Sequence, residues 1–305
     1  MTTVTGEVSM RRGLDLRLVL GLAGLMMLAG PVACGDDDGG VIDPDATTSP
    51  DAQTISDGSA VDAANRPDAD PNGPVATPAW RSGFETGFPG EWLNYDNGSW
   101  TVDGTPNPGW SSAWTIEDAG SFSDIPFGDH VYKGWVFATH TESHRAYPGI
   151  HCDIQSPMVN SFWVWVDVDF AQLASSAWVH LATWGNNPDW NVHTMSVRDH
   201  RLEMAHLDWS YIGPTPQPDF PLAQWVRLTA YIDYDDGGYI RVWQDGVPVL
   251  EGHYTSVSGS NLQRAHWGMY ASGDVFDAVQ YNDEIQIWTL DRPWIDLATE
   301  PPSPY

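Results

Sequence analysis

A chain of 305 residues with 42% hydrophobic side chains, including 17 Trp, 11 Tyr and 9 Phe, can bury a large core without cross-links. Its 13 Lys and Arg against 41 Asp and Glu give a formal net charge of −28, and residues 80–305 alone hold 9 against 29. Such a field repels nucleic acid and anionic lipid headgroups, excluding both as partners, and it admits a polyanionic glycan only at a locally basic cleft.

The chain opens with the three parts of a secretory leader over residues 10–34, MRRGLDLRLVLGLAGLMMLAGPVAC. Arg11 and Arg12 form the basic start, Leu18 to Leu28 the apolar stretch, and small residues approach Cys34. The apolar stretch is too short for a permanent span and stops at Gly30-Pro31. Ala33-Cys34-Gly35 resembles a lipobox, with Pro31 where that pattern has Leu. The resemblance implies lipidation at Cys34 and anchoring to the bacterial cell envelope, at the outer membrane or cell surface; ordinary signal cleavage nearby is the alternative. With Cys34 so used, Cys152 has no intrachain partner and is expected to pack as a small hydrophobe.

Residues 35–79 are dominated by Asp, Ala, Pro, Gly, Ser and Thr, with no aromatic residue. Low hydrophobicity with net negative charge cannot offset the entropy of ordering, so the segment is expected to be a disordered, extended acidic tether.

From Trp80 aromatic residues appear and short alternating segments are punctuated by Gly, Pro, Asn and Asp. Ser161 to Phe170, SFWVWVDVDF, alternates strictly and predicts a strand, with Val164, Val166, Val168 and Phe170 facing the core and Trp163, Trp165, Asp167 and Asp169 on the other face. Trp225 to Tyr254 predicts a three-strand meander that reverses at Asp236-Gly237-Gly238 and at Asp245-Gly246. No helix signal is convincing, and the connections are too short for parallel crossovers. The fold class is therefore all-β, an antiparallel β-sandwich over residues 80–305, expected as a monomer.

The order Trp, alternating strand, Asp-Gly-Gly, a strand ending in Val-Trp, then Asp-Gly, resembles the concanavalin A-like jelly roll. More narrowly it resembles the polysaccharide lyases of that fold, heparin lyase I-like and alginate lyase enzymes. Phe84-Glu85-Thr86-Gly87 and Tyr281-Asn282-Asp283-Glu284-Ile285 resemble the first and last strands of such domains. The fold also hosts lectins, adhesion modules and hydrolases, so the resemblance implies architecture before activity.

Three short segments stand in the order of the alginate-lyase signatures Arg-x-Glu-Leu, Gln-x-His and Lys-Ala-Gly-x-Tyr. They are Arg145-Ala146-Tyr147, Asn191-Val192-His193 and His266-Trp267-Gly268-Met269-Tyr270. Tyr147 replaces the Glu, Asn191 the Gln, and the third segment has no Lys. The resemblance implies β-elimination on a uronic acid. Arg145 and the Asn191 amide would neutralise the carboxylate, His193 or Tyr270 would take the C5 proton, and Tyr270 would return one to the leaving oxygen. The plain alternative is that Arg145 pairs with one of the many acids and Tyr270 is a half-buried strand residue.

Ten histidines fall within residues 80–305, without the helical or Cys/His spacing of a zinc site. The Glu-x-Asp-x-x-Glu strand by which jelly-roll glucanases pair their carboxylates is also missing, Asp167-Val168-Asp169 having one right spacing with the wrong residues. Aromatic faces stack on sugar rings, so Trp163 and Trp165 with Asp167 and Asp169, together with Trp184 and Trp267, are candidate sugar-binding residues; filling the space between two sheets is the alternative. Glu85 and Asp283 are candidate oxygen ligands for Ca²⁺. The leading expectation is a polysaccharide-binding, lyase-like module. Its rivals are an active uronate lyase and a non-catalytic adhesion module, and a locally basic cleft would favour the lyase.

Overall fold

In the computed structural model the described residues are 73–87, 111–118, 126–186, 193–205, 207–254 and 259–305. They form two antiparallel sheets face to face, and their only helical element is a 3-10 turn at Phe170–Gln172. No helix among them is long and apolar enough to cross a membrane.

The first sheet has nine strands. Its centre is β15 (Ala278–Leu290), flanked on one side by β6 (Met158–Asp167). The other edge of β15 is shared end to end by β3 (His130–Val136) and β1 (Ala76–Ser82), and β2 (Ser112–Asp118) pairs with β3. Beyond β6 come β11 (Val226–Asp233), β12 (Tyr239–Gln244), β13 (Val247–His253) and β10 (Asp208–Tyr211). The predicted meander is thus present. Both Gly237 and Gly238 have positive φ at its first turn, as do Asp245 and Gly246 at the second, which is the backbone a tight hairpin requires.

The second sheet has six strands around β14 (Asn261–Ala271). One edge of β14 is shared by β4 (His144–Ala146) and β5 (Gly149–Gln155), while β7 (Val179–Gly185), β8 (His193–Arg198) and β9 (Arg201–Ala205) follow on the other.

The core lies between the sheets. Phe162, Val164 and Val166 of β6 and Leu228, Ala230 and Ile232 of β11 meet Leu181, Met195, Val197 and Met269 from the second sheet, all fully buried. Each of these side chains except the smaller Ala230 contributes about 1.5–3 kcal/mol on burial. At its centre Asn160 accepts hydrogen bonds from the indole N–H of Trp184 at 2.9 Å and of Trp267 at 3.0 Å, and donates to the Gln286 carbonyl at 2.8 Å.

Two boundaries differ from the sequence expectation. Ordered pairing begins at Ala76 rather than Trp80, because the 13-residue β15 offers Leu290 and Thr289 to Ala76 and Thr77. β6 ends at Asp167, and Asp169 instead caps the 3-10 turn, accepting from the Ala171 amide at 3.1 Å and from the Gln172 side chain.

Candidate functional site

Alternation along β14 buries Ala265, Trp267, Met269 and Ala271 in the core and turns His266 and Tyr270 to the outer face of the second sheet. The ladder is bulged between Trp267 and Tyr270, where Gly268 takes a φ of +100°, and neighbouring β7 is bulged between His180 and Ala182. Bulges re-aim side chains, and they cluster beside active sites. Here they set Tyr270 directly opposite His180 on β7 and Arg145 on β4. Ser196 stands opposite His180, and Glu203 opposite Ser196. One row, Arg145–Tyr270–His180–Ser196–Glu203, therefore crosses five strands.

The rings around Tyr270 touch one another. His180 meets it at a centroid distance of 4.7 Å and 88°, while Trp178 stacks on His180 at 4.0 Å. On the other side Tyr147 stacks on His266 at 4.0 Å and lies 5.5 Å from Tyr270. Burial, with the nearby positive charge of Arg145, pushes the His266 pKa down to about 3. His266 is therefore neutral at physiological pH, and the exposed Arg145 carries the positive charge beside it. Thr183, Thr194 and Ser196, on the same face of β7 and β8, present buried hydroxyls that make no hydrogen bond.

Charge is unevenly divided between the sheets. Strands of the second sheet carry four arginines (Arg145, Arg198, Arg201 and Arg264) against two acids, Asp153 and Glu203. Glu203 is paired with Arg198 at 2.9 Å. In a chain of net charge −28 this sheet is a locally basic surface.

Several sequence expectations are corrected. His193 does not join Tyr270: it shares the inner face of β8 with Met195 and Val197, fully buried, with Nε2 2.6 Å from the Gly238 carbonyl. Burial pushes its pKa down to about 4. The histidine beside Tyr270 is His180, signalled by the alternation Trp178-Val179-His180 at the entry to β7. Trp184 and Trp267 are core residues held by Asn160 and offer no face to a sugar. Asp169 leaves the platform strand, as described above. Trp163 and Trp165 are half-buried and Asp167 exposed, but on the outer face of the first sheet, opposite Arg145 and Tyr270. Asn191 and Cys34 lie outside the described residues. Cys152 is half-buried against the core, its thiol pushed up to about 12 by burial, as a packing residue should be.

Glu85 and Asp283 are close enough for their charges to interact. Asp283 is fully buried in a bulge of β15, and its Oδ2 makes no hydrogen bond. Burial first, then the like charges of Glu284 and Glu85, push its pKa up to about 8. Glu85 is fixed by the Asp129 and His130 amides at 3.0 and 3.2 Å. A buried, unbonded carboxylate oxygen near two acids fits a hard cation. No three His, Cys, Asp or Glu side chains among the described residues converge as a metal site, so further ligands would come from main chain or water.

No family model matches the chain, and no curated protein matches it. Among solved structures it is similar to an endo-β-1,4-glucuronan lyase from the fungus Trichoderma reesei, at 13% identity over 70% of this chain and 96% of that one, with a TM-score of 0.47. It is also similar to the cellulose-induced protein Cip1, at 13% identity over 68% of this chain and 96% of that one, with a TM-score of 0.44. The binding domain of botulinum neurotoxin serotype G matches at 10% identity over 63% of this chain and 46% of that one, with a TM-score of 0.38. At these values the likenesses concern architecture, and no residue role is carried over from them.

Proposed function

We propose that this protein binds a uronate-containing polysaccharide on the outer face of its six-stranded sheet. The observation that carries this reading is the row Arg145–Tyr270–His180 on the basic sheet of an acidic domain. Arg145 offers an exposed planar guanidinium suited to a carboxylate, and the half-buried Tyr147, Trp178 and Tyr270 offer ring faces and edges. Affinity electrophoresis in gels containing alginate, glucuronan or a neutral glucan tests it. Retardation by a polyuronate, lost in Arg145→Ala and weakened by salt, is expected; retardation indifferent to Arg145 overturns the assignment.

A second reading, that the bound glycan is also cleaved by β-elimination, is favoured by the contact between His180 and Tyr270. With the uronate carboxylate neutralised by Arg145, His180 or Tyr270 removes the C5 proton. The electron pair forms the C4–C5 double bond as the C4–O bond breaks, and the Tyr270 hydroxyl protonates the departing oxygen. In the same reading Asp283 and Glu85 would hold Ca²⁺, which would neutralise their charges and steady the bulge of β15.

The leader adds the proposal that the chain is exported and lipid-anchored through Cys34, its acidic tether holding the sandwich off the membrane. Radiolabelled palmitate incorporated by the wild type and lost in Cys34→Ala is the expected result; equal labelling rejects it.

A further inference from the structure

The outer face of the first sheet carries a feature that polyuronate binding does not use. The C-terminal residues 291–305 run back across this face and are pinned at three points. Glu300 pairs with Arg227 at 2.6 Å and also bonds the Thr229 hydroxyl. Ser303 Oγ lies 3.1 Å from Gln286 Oε1, and the Tyr305 hydroxyl lies 3.1 and 3.0 Å from the carbonyls of Trp80 and Ile287. Between this strap and the sheet is an open cavity of about 380 Å³. It is lined by Trp163, Arg227, Glu284, Gln286, Glu300 and Tyr305, with Phe127, 53% exposed, also on its wall.

We propose that this cleft is a second carbohydrate site, which takes one or two units of a neutral glycan with a sugar ring stacked on the Trp163 indole. Four features of the cleft support it. Trp163 is half-buried on the outer side of β6, so part of its ring faces the cavity rather than the core. Around it stand a guanidinium, an amide and two carboxylates, planar groups that bond adjacent hydroxyls on a pyranose. Glu284 sits in the β15 bulge with a φ of +44°, a strained conformation for a residue with a side chain, and such strain gathers at binding sites. The volume lies at the small end of the ~300–1,000 Å³ range of ligand pockets.

Charge selects the ligand class. The Arg227 guanidinium is neutralised by Glu300, leaving Glu284, whose Oε2 accepts from the Gln286 amide at 3.1 Å. The cleft is thus net negative and refuses a uronate, the reverse of the arginine-bearing sheet on the other side. Both sheets separate the two sites, so each can be occupied without the other.

Isothermal titration of the full-length protein with cellohexaose, laminarihexaose and xylohexaose tests the proposal. Binding of at least one of them is expected, weakened tenfold or more in Trp163→Ala, mostly retained in Trp163→Phe, and weakened in Glu284→Ala. Retardation by a polyuronate stays unchanged in Trp163→Ala, so that this site and the Arg145 site fail or stand separately. The inference is overturned if no neutral oligosaccharide binds, if the Trp163 and Glu284 variants bind as the wild type does, or if a polyuronate displaces the oligosaccharide.

Discussion

The rings of His180 and Tyr270 meet edge to face, 4.7 Å between centroids and 88° between planes, from directly opposed positions on β7 and β14. A ladder bulged on both strands at this point sets the two side chains on the same outer face, where a proton acceptor and a phenol can act on one substrate.

If elimination is the reaction, Tyr270→Phe keeps the ring and its contacts but removes the hydroxyl. Formation of unsaturated product, followed by its ultraviolet absorbance, should fall by about 10²-fold or more, as befits loss of a general acid–base group. Retardation by the polyuronate should remain. His180→Ala should lose activity comparably. Undiminished turnover in Tyr270→Phe rejects the elimination mechanism while leaving the binding face in place.

Which parts of this architecture were legible in the sequence follows from the range of the interactions that decide them. Val164 and Val166 face the core because alternation is local, and Asp236-Gly237-Gly238 turns because its backbone demands are local too. Arg145 and Tyr270 stand opposed on β4 and β14, a pairing of residues 125 apart that no local pattern announces. Nothing in the three-residue segment Asn191-Val192-His193 says which face is taken by His193. Its alternation with Met195 and Val197 already placed it on the buried face, whereas His180 alternates with Val179 and Leu181. Trp267 faces the core by the same local alternation, with Ala265 and Met269, whereas the Asn160 acceptor that it shares with Trp184 comes from a strand of the opposite sheet and was illegible. Strand ends failed for the same reason: Ala76 to Pro78 have tether-like composition, and only β15 makes them a strand.

Asn160 is the polar pivot of an apolar core, so its loss should cost more than its size suggests. Asn160→Leu leaves two buried indole N–H groups without their acceptor and frees the Gln286 carbonyl. Each unsatisfied group costs about 1–3 kcal/mol, so a loss of about 3 kcal/mol in unfolding free energy is expected by denaturant titration. Trp184→Phe, which removes one donor and leaves Asn160 its other bonds, should cost less. A near-neutral Asn160→Leu would show that the core repacks around the substitution.

Calcium should stabilise the fold if Asp283 and Glu85 hold it. At a concentration about 100 times the dissociation constant, a ligand adds about 2.7 kcal/mol, which for a domain of this size raises Tm by about 5–10 °C. Differential scanning fluorimetry with Ca²⁺ against a chelator reads this directly. Asp283→Asn should abolish the increment, and an identical Tm with Ca²⁺ and with chelator removes the metal from the account.

Acid should weaken the fold through His193. Its ring is fully buried, and its pKa in the folded chain is pushed down to about 4 from an ordinary 6.5. The unfolded chain therefore takes up a proton as pH falls through 6.5, while the folded chain does not until about 4. Stability is complete above pH 6.5 and declines between 6.5 and 4, by about 3 kcal/mol for a group displaced this far. Below pH 4 both states are protonated and this contribution no longer changes. His193→Phe removes the proton site and should flatten that part of the profile, although losing the bond to the Gly238 carbonyl lowers stability at neutral pH. His266, whose pKa is pushed down to about 3, adds a parallel loss over the same range, so the variant profile should be shallower without becoming level. Unfolding midpoints measured from pH 4 to 7 in wild type and His193→Phe decide it, and parallel curves would mean that His193 is not the buried, neutral ring described above.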